Sequence, residues 1–240
     1  VHNAMKDEFR RLDTSDLKVI LVEDAPRLLA AFDDDQSEYT RHRLESLGVD
    51  VRTGHRVSNV EARCLRFTDG TSLESAAIIW AAGVEAHPLT RQLGVPLADA
   101  AGRITPELDL SIPGNPDIFV AGDLVKMTDR GGVVVPGVAP AATQMGEHVA
   151  KVLKEEARLG QPDFADRKVS LRPKFRYFDK GLMAIIGKNV AVVKSGRLKL
   201  RGFLAWVAWL LVHILFLIGF RNKLAVLLGW AFAYLKNNPG

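Results

Sequence analysis

A chain of 240 residues, 25% charged and 48% hydrophobic, can bury a substantial core and is neither disordered nor fibrous in composition. Its one cysteine, Cys64, excludes an internal disulfide, a two-cysteine redox pair and a Cys-rich metal site, and the six histidines show no metal-ligand spacing. All 28 acids precede Lys180 alongside 23 of the 32 bases, so that part carries −5 and the remainder +9; because those last bases flank an apolar run, anionic lipid is the expected partner and nucleic acid is not.

The opening VHNAMKDEFRRL has the pattern of the middle of a helix and starts on Val rather than Met, so the native N-terminus is expected upstream. Residues 17–23 (LKVILVE) form a short apolar run ending in an acid, the pattern of a buried parallel strand. A helical pattern follows over 26–47 and closes at Gly48. Short strand-like runs at 49–52, 57–60 and 64–67, with a hairpin turn at Asp69-Gly70, read as a small antiparallel meander. Residues 77–82 (AIIWAA) read as another buried strand, closed by Gly83. A short helix after Pro88, an extended stretch over 103–110, a turn over 113–116 and a buried strand over 118–121 come next. A loop of Gly, Val and Pro then leads into a helix over 141–159, followed by strands over 174–193 and a turn at Ser195-Gly196. The alternation predicts an α/β doubly wound fold interrupted by the meander. His42, His55, His87 and His148 fall in different elements and read as surface polar groups.

Three places could carry chemistry. Glu23, at the carboxyl end of a parallel strand, is where a dinucleotide-binding unit accepts hydrogen bonds from adenosine-ribose hydroxyls and disfavours an added phosphate; spacing alone does not separate that role from a solvent-facing acid or helix cap. Ala81, Ala82 and Gly83 would let a flat ring approach the backbone, or simply make a tight turn. In IFVAGDLV (118–125), Gly122 followed by Asp123 sends a carboxylate out at a switch point where a flavin ribityl chain could bind, although an isolated Gly-Asp is usually only a turn.

The order of the pieces is more specific than any one of them. Strand with Glu, meander, IIWAAG, Pro-Gly turn, IFVAGD and a small-residue helix start is the order of two-dinucleotide-binding-domain flavoproteins. With PGVAPAATQMGEHVAKVL (136–153), FRYFDKGLMAIIGKNVAVV (175–193) and the tail FLAWVAWLLVHILFLIGFRNK, the chain resembles the type II NADH:quinone oxidoreductases, single-subunit and non-pumping, over essentially its whole length. The resemblance implies a glutathione-reductase-like Rossmann pair, here partial, holding FAD non-covalently. Hydride would pass from NADH to the flavin, and electrons from there to a membrane quinone, with no metal needed.

Carried over by position, Glu23 matches the adenosine-ribose acid, and Ala82 and Gly83 match the backbone lining the nicotinamide pocket. Asp123 matches the residue bound to the FAD ribityl chain, with Gly122 allowing close approach. Gln144 matches a glutamine near the flavin ring and quinone entrance, at the start of a helix whose positive end would stabilise a reduced, anionic flavin. Lys180 of DKG matches a basic residue nearby; it and Gln144 are the candidate catalytic groups. Many members read Ala-Gln where this chain has Ala139-Pro140, so the quinone contacts of Pro140, Gln144 and Lys180 depart from the usual set. The family's Gly-rich FAD and NADH turns are absent, and residues 1–240 alone are expected neither to retain flavin nor to turn over. The implied organisation is an NADH-binding remainder over 1–88, a returning part of the FAD domain over 89–165, a strand-rich segment over 166–200 and membrane-associating helices over 201–240. Sulfide:quinone reductases share this architecture but need cysteines at the flavin. Lipoamide-type disulfide reductases need a dithiol, and a non-catalytic remnant is a third alternative.

Residues 203–220 carry no formal charge; as one helix they would rise about 27 Å against a hydrocarbon core of about 30 Å, while 224–235 is too short to span. Trp206, Trp209, Trp230 and Tyr234 suit a lipid–water interface, and Lys199, Arg201, Arg221, Lys223 and Lys236 are placed to reach head groups. A buried hairpin is disfavoured because no acid is expected to pair with those bases. The expectation is a monotopic protein on the cytoplasmic face of the cell membrane, with one spanning helix as the alternative and a homodimer compatible with both. His213 reads as a packing or interfacial residue.

Overall fold

Five residues rich in Val, Ile and Leu make β1 (Val19–Glu23), which pairs in parallel with β2 (Val49–Thr53) from Val19↔Val49 to Glu23↔Thr53. The computed structural model describes residues 17–158, 171–217 and 219–235, so the helix expected at the N-terminus, and Lys236, lie outside the described residues. The chain divides into two compact units, Val1–Ile79 with Gly181–Gly240, and Trp80–Lys180.

In the first unit the crossover between β1 and β2 is shorter in helix than the pattern over 26–47 predicted: α1 runs only Asp34–Ser46. Residues 26–33 turn instead. Arg27 donates to the carbonyls of Phe32 (2.7 Å) and Ala30 (3.0 Å), and Leu29 sits at φ 50, so the backbone groups a helix would use are already spent. Asp33 is the N-cap, with Asp34 and Asp35 in the first turn, where negative charge suits the helix dipole. The run at 49–52 belongs to the parallel pair. The meander is made by β3 (Val57–Glu61), β4 (Cys64–Phe67) and β5 (Ser72–Glu74), with Asp69-Gly70 at the expected turn.

The same unit contains a second antiparallel sheet of β8 (Leu182–Gly187), β9 (Val190–Ser195) and β10 (Leu198–Gly202). Helix α1 lies against it through a polar face. Gln36 Nε2 donates to the carbonyls of Val193 (2.9 Å) and Leu200 (3.2 Å), and Gln36, Ser37 and Thr40 are buried. Asp33 pairs with Lys194 (2.6 Å) and with Lys199, and hydrogen bonds from Lys194 and then Lys199 hold its carboxyl down at about 2. Arg201 lies over the Tyr39 ring, 5.6 Å from its centroid. These contacts correct the expectation that no acid pairs with the bases before the apolar tail.

That tail is a helical hairpin, α3 (Phe203–Phe216) and α4 (Phe220–Leu235). Leu217 adopts extended backbone and Gly219 has φ +83, which breaks the eighteen-residue run after fourteen. Among the described residues no helix is long and apolar enough to cross a membrane. Ala205 packs on Ala191 and Val193, with Met183, Leu200, Trp206 and Ala208 around them; the small side chains let α3 lie close to the sheet. Helix α4 is held by Trp209 against Trp230 (5.7 Å between ring centroids) and by Lys223, whose Nζ donates to the Leu215 carbonyl at the end of α3 (3.2 Å). His213 stacks on Trp209 (3.8 Å) with Nδ1 2.8 Å from that residue's carbonyl, the packing role expected of it. Leu204, Leu211, Leu215, Phe216, Phe220 and Leu228 stay exposed.

The described residues of the second unit form a core with Ile104, Leu110, Ile112, Val120, Met145 and Phe175 among its buried side chains. Residues 77–82, which lie across the boundary between the units, are not a strand. No ladder partner reaches them among the described residues, and Ile79 is 90% exposed. A 3-10 turn at Pro88–Gln92 is capped by His87, whose Nδ1 accepts from Leu89 N (3.2 Å). The extended stretch is real around Ile104, which bridges Leu97 and Val125; from 107 the chain turns, with Leu110 at φ 75 and donating to the Glu107 carbonyl (2.9 Å). The hairpin of β6 (Ser111–Ile112) and β7 (Asn115–Phe119) then precedes a 3-10 turn at Gly122–Leu124 and the long α2 (Ala139–Arg158). Residues 174–180 form no strand, because their backbone donors go elsewhere. Phe175 N donates to Leu108 O (2.7 Å), Tyr177 N to Asp129 Oδ2 (2.8 Å) and Phe178 N to Gln144 Oε1 (2.8 Å). His148 is half-buried edge-on to Phe175 (5.5 Å) rather than a surface group, and burial lowers its pKa.

Candidate active site

Three separated segments of the second unit meet at the first turns of α2. Gly122 approaches from one side: its N–H points at the Met145 sulfur (3.2 Å), and a Cβ there would lie 3.4 Å from Ala142 Cβ. At φ +71 it adopts a backbone that favours glycine, and the turn it makes sends Asp123 outward. The Asp123 carboxylate is exposed and has no hydrogen-bond or ion-pair partner among the described residues. Gly137 lies beside it; a Cβ at 137 would sit 3.4 Å from Asp123 Oδ1.

The loop between Asp123 and α2 is shaped by a second carboxylate. Asp129 Oδ1 accepts from Gly131 N (2.8 Å) and Val133 N (2.9 Å), and Oδ2 accepts from Tyr177 N (2.8 Å). Burial pushes the Asp129 carboxyl up, but the three backbone donors and the charge of Arg176 outweigh it and hold it below the usual range. Helix α2 itself begins Ala139-Pro140. A proline in the first turn costs no hydrogen bond, since that N–H has no partner inside a helix.

Gln144 closes the third side. Its Nε2 donates to the Phe178 carbonyl (3.0 Å) and its Oε1 accepts from the Phe178 N–H (2.8 Å), a two-point clip across thirty-four residues. The Phe178 ring remains 69% exposed, and Lys180, two residues on, is exposed. Farther down α2, Arg172 is buried among Asp109 (2.9 Å), Glu156 (2.7 Å) and the Pro116 carbonyl (2.9 Å), which pins the helix to the β6–β7 hairpin. Burial pushes the Asp109 carboxyl up; hydrogen bonds from Ser111 and Arg172 bring it below its ordinary value.

Of the residues singled out in the sequence, Gly122, Asp123, Ala139, Pro140 and Gln144 gather at the start of α2, with Lys180 just beyond the clipped Phe178. Ala82 and Gly83 lie in an exposed stretch of the same unit and have no described contact with that group. Glu23 belongs to the other unit. It ends β1, is half-buried, and its Oε1 accepts from Ala25 N (3.0 Å), which folds the carboxylate back over the strand end. Asp129, Gly137 and Phe178 were not anticipated. The Asp-Arg-Gly-Gly turn around Asp129 and the Pro-Gly before α2 were visible signals, whereas nothing local marks Phe178.

Residues 6–146, which include the Gly122-Asp123 turn, match the family described as pyridine nucleotide-disulphide oxidoreductase. The chain belongs to that family. Within it, the chain is 37% identical over 99% of its length to a type II NADH:quinone oxidoreductase of Mycobacterium tuberculosis, and 35% identical over 97% to a second from the same organism. Those alignments cover 50% and 49% of the relatives, so the chain spans about half the length of the curated relatives it matches. The fold is that of NDH2 from Plasmodium falciparum in complex with NADH, with a TM-score of 0.77 at 15% identity over 98% of this chain and 61% of that one. An FAD-dependent pyridine nucleotide-disulphide oxidoreductase from Desulfovibrio vulgaris shares it less completely, with a TM-score of 0.54 over 80% of this chain and 44% of that one. The α/β fold class expected from the motif order, a partial Rossmann pair, is therefore that of this family member.

Proposed function

We propose that this chain is part of an NADH:quinone oxidoreductase that uses FAD, does not pump protons, and works at a membrane surface. What carries the reading is the Asp123 carboxylate past Gly122, without a partner among the described residues, in a family member nearly all of which aligns with about half the length of a type II enzyme. The site fits a flavin nucleotide. Asp123 is an acceptor with no donor among the described residues, and Gly122 and Gly137 bring no side chain to it.

FAD, when bound, supplies the two-electron chemistry that connects a nicotinamide donor to a quinone acceptor. The chain's own residues bind and orient. Asp123 takes ribityl hydroxyls. The N-terminal end of α2, with Ala139 and Pro140 leading, offers its positive dipole end and small side chains. Glu23 takes the adenosine-ribose hydroxyls of NADH and repels the extra phosphate of NADPH, and Ala82 and Gly83 give the nicotinamide ring a wall without side chains. Pro140, Gln144 and Lys180 belong to the acceptor side. The exposed apolar faces of α3 and α4 rest in the interfacial layer of an anionic membrane, on the cytoplasmic side, where quinone is dissolved.

The test is protein purified from the whole open reading frame that carries these residues, assayed for NADH and NADPH oxidation with a short-chain benzoquinone. Bound flavin and a preference for NADH are expected, with Asp123→Ala losing most of the flavin. A wild-type protein that holds no flavin and oxidises neither nucleotide overturns the reading.

A further inference from the structure

Gln144 spends its amide on the backbone. One oxygen and one N–H are committed to Phe178, at 2.8 and 3.0 Å, and the neighbouring N–H of Tyr177 is taken by Asp129. Two consecutive residues of a segment with no ladder of its own are thus held by side chains from two other elements. As a result Tyr177 is 7% exposed and in the core, while Phe178, tied to Gln144 of α2, is 69% exposed. The first turn of α2 before Gln144 carries only small or short side chains, Ala139, Pro140, Ala141 and Ala142.

We infer that Phe178 receives the ring of the quinone acceptor and that Gln144 is a positioning residue, acting through the Phe178 backbone rather than by binding the quinone itself. The inference rests on the function proposed above and concerns its acceptor side only. A flat, electron-poor ring is the ligand such a surface suits, since offset stacking on an aromatic face adds to the gain from covering apolar area. The clip matters because an unheld segment would have to be ordered each time a quinone docks, and that ordering is set against binding.

The experiment uses the flavin-loaded protein from the whole open reading frame, with a short-chain benzoquinone and, separately, ferricyanide as acceptors. Gln144→Leu, Phe178→Ala, Phe178→Tyr and the Gln144→Leu/Phe178→Ala double variant are compared. Phe178→Ala and Gln144→Leu are each expected to raise the benzoquinone KM about five- to tenfold, the range an aromatic contact carries. In both, kcat/KM for benzoquinone should fall more than that for ferricyanide. Phe178→Tyr should restore most of the loss, and the double variant should be no worse than the poorer single one, because both act on one contact. Hydrogen exchange at the Phe178 amide should quicken in Gln144→Leu. The inference is overturned if Phe178→Ala keeps the wild-type benzoquinone KM. It is equally overturned if Gln144→Leu raises that KM with Phe178 exchange unchanged, which would make Gln144 a direct ligand. A wild-type protein that reduces ferricyanide but not benzoquinone sinks this inference and leaves NADH-to-flavin transfer standing. One that reduces neither sinks the proposed function first.

Discussion

Replacing Asp129 with alanine removes the acceptor for three backbone N–H groups at once. Two of them, on Gly131 and Val133, lie in an exposed loop and can turn to water; the third, on Tyr177, lies in the core and cannot. An orphaned buried donor costs about 1–3 kcal/mol, and losing the charge-assisted bonds of the loop adds to that, so Asp129→Ala should destabilise the chain by about 2–4 kcal/mol. For a protein of this size that lowers the melting temperature by roughly 4–16 °C. Asp129→Asn should recover only part of this, since its carbonyl can serve Gly131 and Val133 while its NH2 faces the Tyr177 donor. The deficit depends on pH in a determined direction. The folded Asp129 carboxyl titrates below its unfolded value, so its stabilisation is complete above the ordinary aspartate pKa of about 3.9 and fades as pH falls through the folded value. Wild type and variant should therefore differ most near neutrality and converge on acidification. Thermal melts of the purified chain across pH decide it. A loss below about 0.5 kcal/mol, the size of an ordinary surface change, or a deficit that does not shrink in acid, refutes the reasoning.

Other substitutions probe the rest of the molecule. Arg172→Ala leaves the buried Asp109 carboxylate and the half-buried Glu156 carboxylate without their shared cation and should cost about 3–5 kcal/mol in urea unfolding; a cost under about 1 kcal/mol would mean that water replaces the guanidinium. Gly181→Ala puts a Cβ 2.7 Å from Ser195 Cβ and onto the Lys194 carbonyl oxygen at φ +93, so its melting temperature should fall well below that of Gly196→Ala, whose φ is +55 with nothing within 4 Å. Equal losses would show that the left-handed backbone alone, not the overlap, sets the cost. On the tail, Leu211→Ser with Leu215→Ser should weaken binding to anionic vesicles at least tenfold, at about 1.5–3 kcal/mol per buried leucine. Lys199→Gln should change that binding little, because Lys199 is engaged by Asp33 and Asp35; sedimentation with vesicles reads both.

Much of the framework was readable locally because its causes are local. The β1 pattern ending in Glu23, the turn at Asp69-Gly70, the Gly122-Asp123 pair and the capped 3-10 turn after Pro88 each follow from a few adjacent side chains and their backbone preferences. The readings that failed share a different cause. Residues 77–82 look like a strand because they are apolar and β-prone, but a strand exists only where another strand offers a ladder. Residues 174–180 carry β-prone aromatics, and their donors were claimed by Asp129, Gln144 and Leu108. The apolar run at 203–220 looks continuous to hydropathy, yet Gly219, a glycine visible in the sequence, ends it as a helix.

By itself, then, the sequence determined the family, the order of the elements, the glycine-carboxylate pair at the head of α2 and the apolar character of the tail, since these depend on residue identity and short spacing. Only the tertiary structure decided what Gln144 holds, why Asp129 is buried, and which of the tail's bases remain available: Lys199 pairs with Asp33 and Lys223 caps α3, while Arg221 has no partner among the described residues. Each of these is a hydrogen bond or ion pair across a long separation in sequence. A side chain's choice among distant partners is made by the packing that brings them within 3 Å, and no local pattern carries that information.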